Sequence, residues 1–101
     1  MAQPTIPEII YKPDPSENLP PQWYLVITHT YEADTGVFLK NYKEYKGFLK
    51  NGKLHMAVNN MIFPVDKLIW KYMTGDEPKS IIHKDGNKKN NKWSNLEASD
   101  K

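Results

Sequence analysis

Apolar and polar positions along the first two thirds of the chain alternate in short runs separated by turn residues. Residues 23–30 are rich in aromatic and β-branched side chains, and residues 37–39 resume the apolar pattern after Asp34-Thr35-Gly36. Glycine accepts backbone angles that other residues avoid, so this tripeptide suits a chain reversal. The pattern predicts a first β-hairpin over residues 23–39.

A second hairpin is predicted immediately downstream. Residues 45–49 and 53–58 flank Asn51-Gly52, and Asn-Gly is a strong signal for a two-residue hairpin turn. Asn59-Asn60 supplies another turn before the apolar residues 61–63. We therefore expect consecutive antiparallel strands in this region.

The apolar period changes from that of a strand to that of a helix after residue 63. Pro64 suits a first helical turn, where its missing N–H costs nothing, and Gly75 is a typical helix end. The apolar residues between them share one helical face: Val65, Leu68, Ile69, Tyr72 and Met73. Strands followed by one core helix and then a polar segment predict an α+β fold with small antiparallel hairpins.

Proline content separates an N-terminal arm from the rest. Six of the eight prolines lie in residues 1–21, which we predict to be extended. Residues 22–101 are predicted to be a single domain. Its parts are the hairpin region 22–63, the core helix 64–75 and a C-terminal motif at 79–101.

Composition narrows the class of protein. The chain of 101 residues has no cysteine, which excludes disulfides and thiolate zinc sites. No apolar run approaches the roughly 20 residues of a membrane span, and the N-terminus lacks a signal-peptide layout. We therefore expect a soluble protein of the cytoplasm, without a membrane partner.

Charge is distributed unevenly although the formal net charge is only +2. Residues 1–36 carry one lysine and five acidic residues, whereas residues 37–101 carry thirteen and seven. All the basic residues are lysines, which favours contacts to a phosphate backbone over bidentate reading of bases. The alternative is that these lysines are ordinary solvated surface residues.

Residues 82–97 hold the chemistry, because they combine one histidine, several asparagines and a glycine turn. A histidine and an amide oxygen at this separation can be folded around one divalent metal. Asp85-Gly86-Asn87 predicts a sharp reversal after the strand that contains His83. Ser94 and Glu97 have capping-box spacing, which predicts a helix with Asn95 in its first turn. We therefore expect His83 and Asn95 to face one cleft.

The segment from residue 65 to residue 97 resembles the HNH endonucleases of the ββα-metal fold, especially the small phage and intron-encoded type. The resemblance rests on Leu68, Trp70, Thr74, Gly75, Pro78, His83, Asp85, Gly86, Asn87, Asn90, Asn91, Trp93, Ser94, Asn95 and Leu96. It implies an enzyme that hydrolyses or nicks phosphodiester bonds in DNA. If the gene is phage-borne, the site of action is the host-cell cytoplasm.

The resemblance also implies roles for individual residues. His83 matches the general base that activates water, a task suited to imidazole. Asn95 matches an amide ligand of one Mg²⁺ or Mn²⁺, and Asn91 matches the central asparagine that braces the loop. The lysines that flank this site are expected to contact nucleic acid: Lys84, Lys88, Lys89 and Lys92. A homodimer or a protein partner stays open.

One position departs from the pattern of the family. The residue before the base is usually a metal ligand, but here it is Ile82, whose alkyl side chain cannot coordinate a cation. Asp85, Asn87 or His55 are alternative ligands. Two main hypotheses follow: an unusual nuclease, or an inactive HNH-like module that binds DNA or a protein. A third, less favoured, is a structural phage-type protein.

Overall fold

The computed structural model of the protein describes residues 18–40 and 47–100. Their elements, in chain order, are α1 (Gln22–Thr28), β1 (His29–Glu32), β2 (Val37–Lys40), β3 (Phe48–Lys50), β4 (Lys53–Val58), β5 (Met61–Pro64), α2 (Val65–Thr74), β6 (Ser80–His83), a 3₁₀ turn (Trp93–Asn95) and β7 (Leu96–Ser99). Within these residues the strands form the antiparallel sheets β1–β2, β3–β4–β5 and β6–β7. The predicted α+β class with small antiparallel sheets is confirmed.

Two asparagine turns connect the strands of the middle sheet. Asn51 and Gly52 have φ angles of 54° and 79°, and Asn59 and Asn60 have 49° and 65°. Two successive left-handed residues make the turn type whose twist matches that of a hairpin. Both predicted turns are therefore confirmed. The first two positions of the strand predicted over residues 45–49 lie outside the described residues.

The first predicted hairpin is only partly correct. β1 and β2 pair around the expected turn, but α1 occupies most of the segment predicted as the first strand. The carbonyl of Pro21 accepts hydrogen bonds from the amides of Tyr24 and Leu25, which start the helix. Both side chains are buried, and α1 packs against α2. Burial on the core thus outweighs the local strand preference of aromatic and β-branched residues.

Helix α2 provides the centre of the core. Val65, Leu68 and Ile69 are completely buried and pack with residues of α1 and the middle sheet. The helix ends at Gly75, whose φ of 81° is left-handed, as the sequence predicts. Met73 departs from the predicted apolar face, because it is 39% exposed.

The helix predicted at Ser94 is wrong. Residues 93–95 form a 3₁₀ turn without a side-chain cap, and Leu96–Ser99 continue as β7. Leu96 lies opposite His83 in the register and is buried. Pairing with β6 satisfies backbone groups that a lone strand would leave open, and it turns Leu96 into the core. Within the described residues, the C-terminal motif is therefore a β-ribbon without a following helix.

Of the arm predicted over residues 1–21, the structure describes residues 18–21. Residues 1–17 of the proposed arm lie outside the described residues. Leu19 and Pro20 are buried, and the carboxylate of Glu77 accepts hydrogen bonds from the amides of Asn18 and Leu19. Residues 18–21 are thus part of the packed domain.

No helix within residues 18–40 and 47–100 has the length and apolar character needed to cross a membrane.

Candidate active site

His83 is the last residue of β6 and points into the protein. Along this strand Ile81 and His83 are buried, whereas Ile82 between them is 46% exposed. This alternation follows from the two-residue period of a strand. Only 3% of the His83 side chain is exposed, so the ring lies in a protected environment.

Asn91 fixes one nitrogen of the His83 ring. Its Oδ1 lies 3.0 Å from Nε2 of His83, in a buried hydrogen bond. With the oxygen as acceptor, Nε2 carries the proton and Nδ1 keeps the lone pair. In this orientation of the Asn91 amide, Nδ1 is the basic nitrogen of the ring.

The backbone of Asn91 is held against the β1–β2 hairpin. The hydroxyl of Tyr31 donates to the Asn91 carbonyl, and burial raises the pKa of this tyrosine to about 12, so it remains a donor. A Cβ on Gly36 would lie 2.6 Å from both the carbonyl carbon of Asn91 and the amide nitrogen of Lys92. Only glycine permits this approach, because real Cβ contacts are longer. The first hairpin thus positions the partner of His83.

Asp66 is a site residue that the sequence reasoning missed. Its Oδ2 lies 3.9 Å from Nε2 of His83 and 3.2 Å from Nζ of Lys53. Its Oδ1 accepts a hydrogen bond from the Lys67 amide at 2.7 Å, and the residue is 3% exposed. One signal was available: Asp66 shares a helical face with Ile69, three positions on, and is thus a charged residue beside the apolar stripe.

Asp85 organises the loop after β6. One carboxylate oxygen accepts from the Asn87 amide at 2.8 Å, and the other accepts from Nδ2 of Asn90 at 2.8 Å. These hydrogen bonds, that from Asn90 foremost, lower the pKa of Asp85. Gly86 has a φ of 78°, which allows the sharp reversal predicted from the sequence.

Asn95 braces this loop from its other end. Its Oδ1 accepts from the Asp85 amide at 2.9 Å, and its Nδ2 donates to Asp85 Oδ1 and to the Asn90 carbonyl, each at 2.9 Å. Its own carbonyl accepts from the Lys84 amide. Asn95 thus braces the loop in addition to Asn91, whose side chain is hydrogen-bonded to His83 across it. The side chains of His83 and Asn95 contact different partners, so they do not form the expected cleft.

The residues present do not fit the expected metal ligand set. Ile82 occupies the position of the usual first ligand, and its side chain is a hydrocarbon. It lies on the outer face of the β6–β7 ribbon, opposite Glu97 in the register. The amide oxygen of Asn95 already accepts a hydrogen bond. Among residues 18–40 and 47–100, no group of three or more His, Asp or Glu side chains is placed to hold a metal ion. A ligand role for Asn95 stays a prediction that its hydrogen bonds do not favour.

Four exposed lysines surround the loop next to His83. They are the predicted nucleic-acid contacts Lys84, Lys88, Lys89 and Lys92. The ion pairs found within the described part of the chain involve other lysines, Lys53 and Lys71. The loop therefore presents positive charge to solvent beside the buried imidazole.

Residues 64–101 match the family model described as HNH endonuclease. The match begins at the residue that precedes α2 and includes β6, the loop and β7, so it contains His83, Asn91 and Asn95. No curated protein and no solved structure matches the chain.

Proposed function

We propose, from the premise that the C-terminal segment of this chain belongs to the HNH endonuclease family, that the protein hydrolyses phosphodiester bonds in DNA. Enzymes of this family cleave nucleic acids, which supports a nucleic-acid substrate for this chain. DNA as that substrate, and hydrolysis by this particular chain, are our proposal.

The hydrogen bond between His83 and Asn91 is the observation that carries this proposal. A general base for hydrolysis must offer a lone pair in a fixed direction at neutral pH. With the Asn91 oxygen toward the ring, Nε2 carries the proton and Nδ1 is left to accept a proton from the attacking water.

The lysines of the loop supply the second part of the mechanism. Phosphate groups are attracted to exposed ammonium groups without regard to base sequence. Lys84 follows His83 directly, and Lys88, Lys89 and Lys92 lie farther along the same loop. Binding of the backbone there would bring a scissile phosphate near the imidazole.

A divalent cation is usual in HNH nucleases, where it stabilises the charge that develops on the phosphate. The donor atoms around His83 do not fit such an ion. Ile82 has no donor atom, and the side-chain oxygen of Asn95 already accepts a hydrogen bond. We therefore assign no step of the reaction to a metal. Mg²⁺ or Mn²⁺ dependence remains a prediction from the family.

Plasmid nicking tests the proposal. Supercoiled DNA is incubated with the full chain in Mg²⁺, in Mn²⁺ and in EDTA, and nicked or linear product is measured. We expect product with the wild-type protein and a loss of about 100-fold or more with His83→Ala. Equal product from both proteins would refute the role of His83. His55→Ala is the matched control, because His55 on β4 has Nδ1 3.0 Å from the Lys53 carbonyl and belongs to no group of three or more possible ligands among residues 18–40 and 47–100.

A second candidate function is supported by the exposed alkyl side chain at residue 82. If the protein has lost its metal ligand, it is an inactive module that still binds DNA through the lysine loop. Ile82→Asp separates the two candidates, because it restores a carboxylate at the usual ligand position. Cleavage gained only in this variant supports the inactive module, whereas cleavage by the wild-type protein supports the nuclease.

A further inference from the structure

Asn91 alone does not determine which nitrogen of His83 carries the proton. A side-chain amide has an acceptor and a donor of similar shape, so a rotation by 180° would present NH₂ to Nε2 instead of oxygen. That arrangement would favour a lone pair on Nε2 and a proton on Nδ1. A base with Nδ1 protonated could not accept a proton there.

Asp66 removes this ambiguity, because an ionised carboxylate is only an acceptor. Its Oδ2 lies 3.9 Å from Nε2 of His83, too far for a hydrogen bond but close enough for a strong electrostatic interaction. A lone pair on Nε2 would face this negative charge, whereas an N–H would present its positive end. Both residues are buried, so water screens the interaction little.

The carboxylate of Asp66 is itself held in place. Lys53 Nζ, on β4, lies 3.2 Å from Oδ2, and the Lys67 amide, in the first turn of α2, donates to Oδ1. A buried carboxylate is costly unless it is paired and hydrogen-bonded, and these two contacts meet that need. Lys53 thus pairs with the Asp66 carboxylate beside the imidazole.

We propose that Asp66 is a positioning residue for His83, which holds the imidazole in the tautomer with the proton on Nε2 and orients Asn91 with its oxygen toward the ring. This inference deepens the proposed nuclease function and rests on it for its catalytic consequence. The tautomer itself can be measured without any activity.

Long-range ¹H–¹⁵N correlation spectra of the full chain test the proposal, because they distinguish a protonated ring nitrogen from an unprotonated one. In the wild-type protein at pH 8 we expect His83 with Nε2 protonated. Asp66→Asn replaces the carboxylate with an amide of the same shape that can donate or accept. We expect this variant to show a mixture of tautomers or the tautomer with Nδ1 protonated.

Two further variants separate positioning from general destabilisation. Lys53→Gln keeps the carboxylate and can still donate to it, so we expect the wild-type tautomer. The double variant Lys53→Gln/Asp66→Asn leaves no unpaired charge, and we expect it to be folded but to lose the Nε2–H preference. Asp76→Asn, an exposed carboxylate after α2, is the control and should leave the spectrum unchanged.

The outcomes are distinct. A wild-type His83 protonated on Nδ1, or an unchanged tautomer in both Asp66 variants, would overturn the proposal. If the wild-type protein cleaves DNA, Asp66→Asn should lower kcat by about tenfold or more and change KM by less than about twofold. A wild-type protein that cleaves no DNA would refute the nuclease function, and the spectra would still decide the role of Asp66.

Discussion

Oδ1 of Asn91 lies 3.0 Å from Nε2 of His83, and this buried hydrogen bond ties the end of β6 to the far end of the loop that follows it. The same asparagine accepts from Tyr31 through its carbonyl. One residue therefore connects the candidate base to the first hairpin. We therefore expect the stability of the site to depend on this connection.

Asn91→Ala should destabilise the protein. The variant leaves the Nε2–H group of His83 buried without its acceptor, which costs about 1–3 kcal/mol of unfolding free energy. Urea denaturation measures this value. Asn87→Ala is the control, because Asn87 is exposed and its Oδ1 accepts from the Lys89 amide, two residues along the same loop. Equal losses in the two variants would contradict the importance of the buried bond.

Gly36→Ala should be far more damaging than Gly86→Ala. Both glycines have left-handed φ angles, 79° and 78°, so each substitution costs about 1–2 kcal/mol in backbone strain. A Cβ at residue 36 would also lie 2.6 Å from the backbone of Asn91, whereas nothing lies within 4 Å of one at residue 86. Thermal unfolding of the two variants should reveal the difference. Similar melting temperatures would contradict the close approach of Gly36 to the backbone of Asn91.

The turns and the core helix could be predicted from the sequence because their signals are local. Asn51-Gly52 favours left-handed angles wherever it occurs, and Gly75 ends a helix for the same reason. The helical conformation of α1 could not be predicted from local signals. Its burial depends on α2, to which Gln22 is joined by a hydrogen bond to the Tyr72 carbonyl, 50 residues later.

The candidate site likewise combines residues that local sequence signals indicate with residues that only tertiary packing brings close. The sequence predicts a role for His83 because its motif is contiguous, whereas Asp66 comes near it through the packing of α2 on β6. The resemblance assigned metal binding to Asn95, and the Ser94 and Glu97 spacing indicated a helix at this point. Strand pairing with β6 prevailed instead, and it directed Asn95 into the loop.

His29 should make the stability of the protein depend on pH. Burial, with a smaller contribution from the charge of Lys40, lowers the pKa of His29 from 6.5 to about 4. The unfolded chain therefore binds a proton more readily than the folded one. Stability is complete above about pH 6.5 and falls as the pH drops toward 4, by about 3 kcal/mol in total.

Denaturant unfolding at pH 7 and pH 4.5 measures this effect. His29→Phe keeps a ring to stack on Phe38, which lies 5.0 Å away between centroids, but removes the titrating group. We expect the variant to lose about 2–3 kcal/mol less than the wild-type protein between the two pH values. A loss of stability in His29→Phe as large as that of the wild-type protein would contradict the assignment of this pH dependence to His29.

Lysines of the loop should govern the salt dependence of DNA binding. Each phosphate contact contributes about −0.9 to the slope of log K against log salt concentration. Replacing Lys84, Lys88, Lys89 and Lys92 by glutamine should therefore reduce the slope by about 3–4 for duplex DNA of any sequence. Fluorescence anisotropy over a range of salt concentrations gives the slope.

Lys79→Gln is the control for that series. Lys79 is exposed but precedes β6, at the opposite end of the strand from His83. Its loss should change the slope by less than about 1. A fourfold variant that binds with the wild-type slope would show that DNA contacts another surface.

Chemical rescue tests most directly whether His83 is the base that activates water. His83→Gly leaves a space at the end of β6 that free imidazole can enter, while Asn91 and Asp66 remain in place. Single-turnover cleavage of a labelled duplex is measured with and without added imidazole. We expect imidazole to restore cleavage by His83→Gly in proportion to its unprotonated concentration and to leave the wild-type rate unchanged. Undiminished cleavage by His83→Gly without imidazole, or no cleavage by the wild-type protein, would contradict the proposed role of His83.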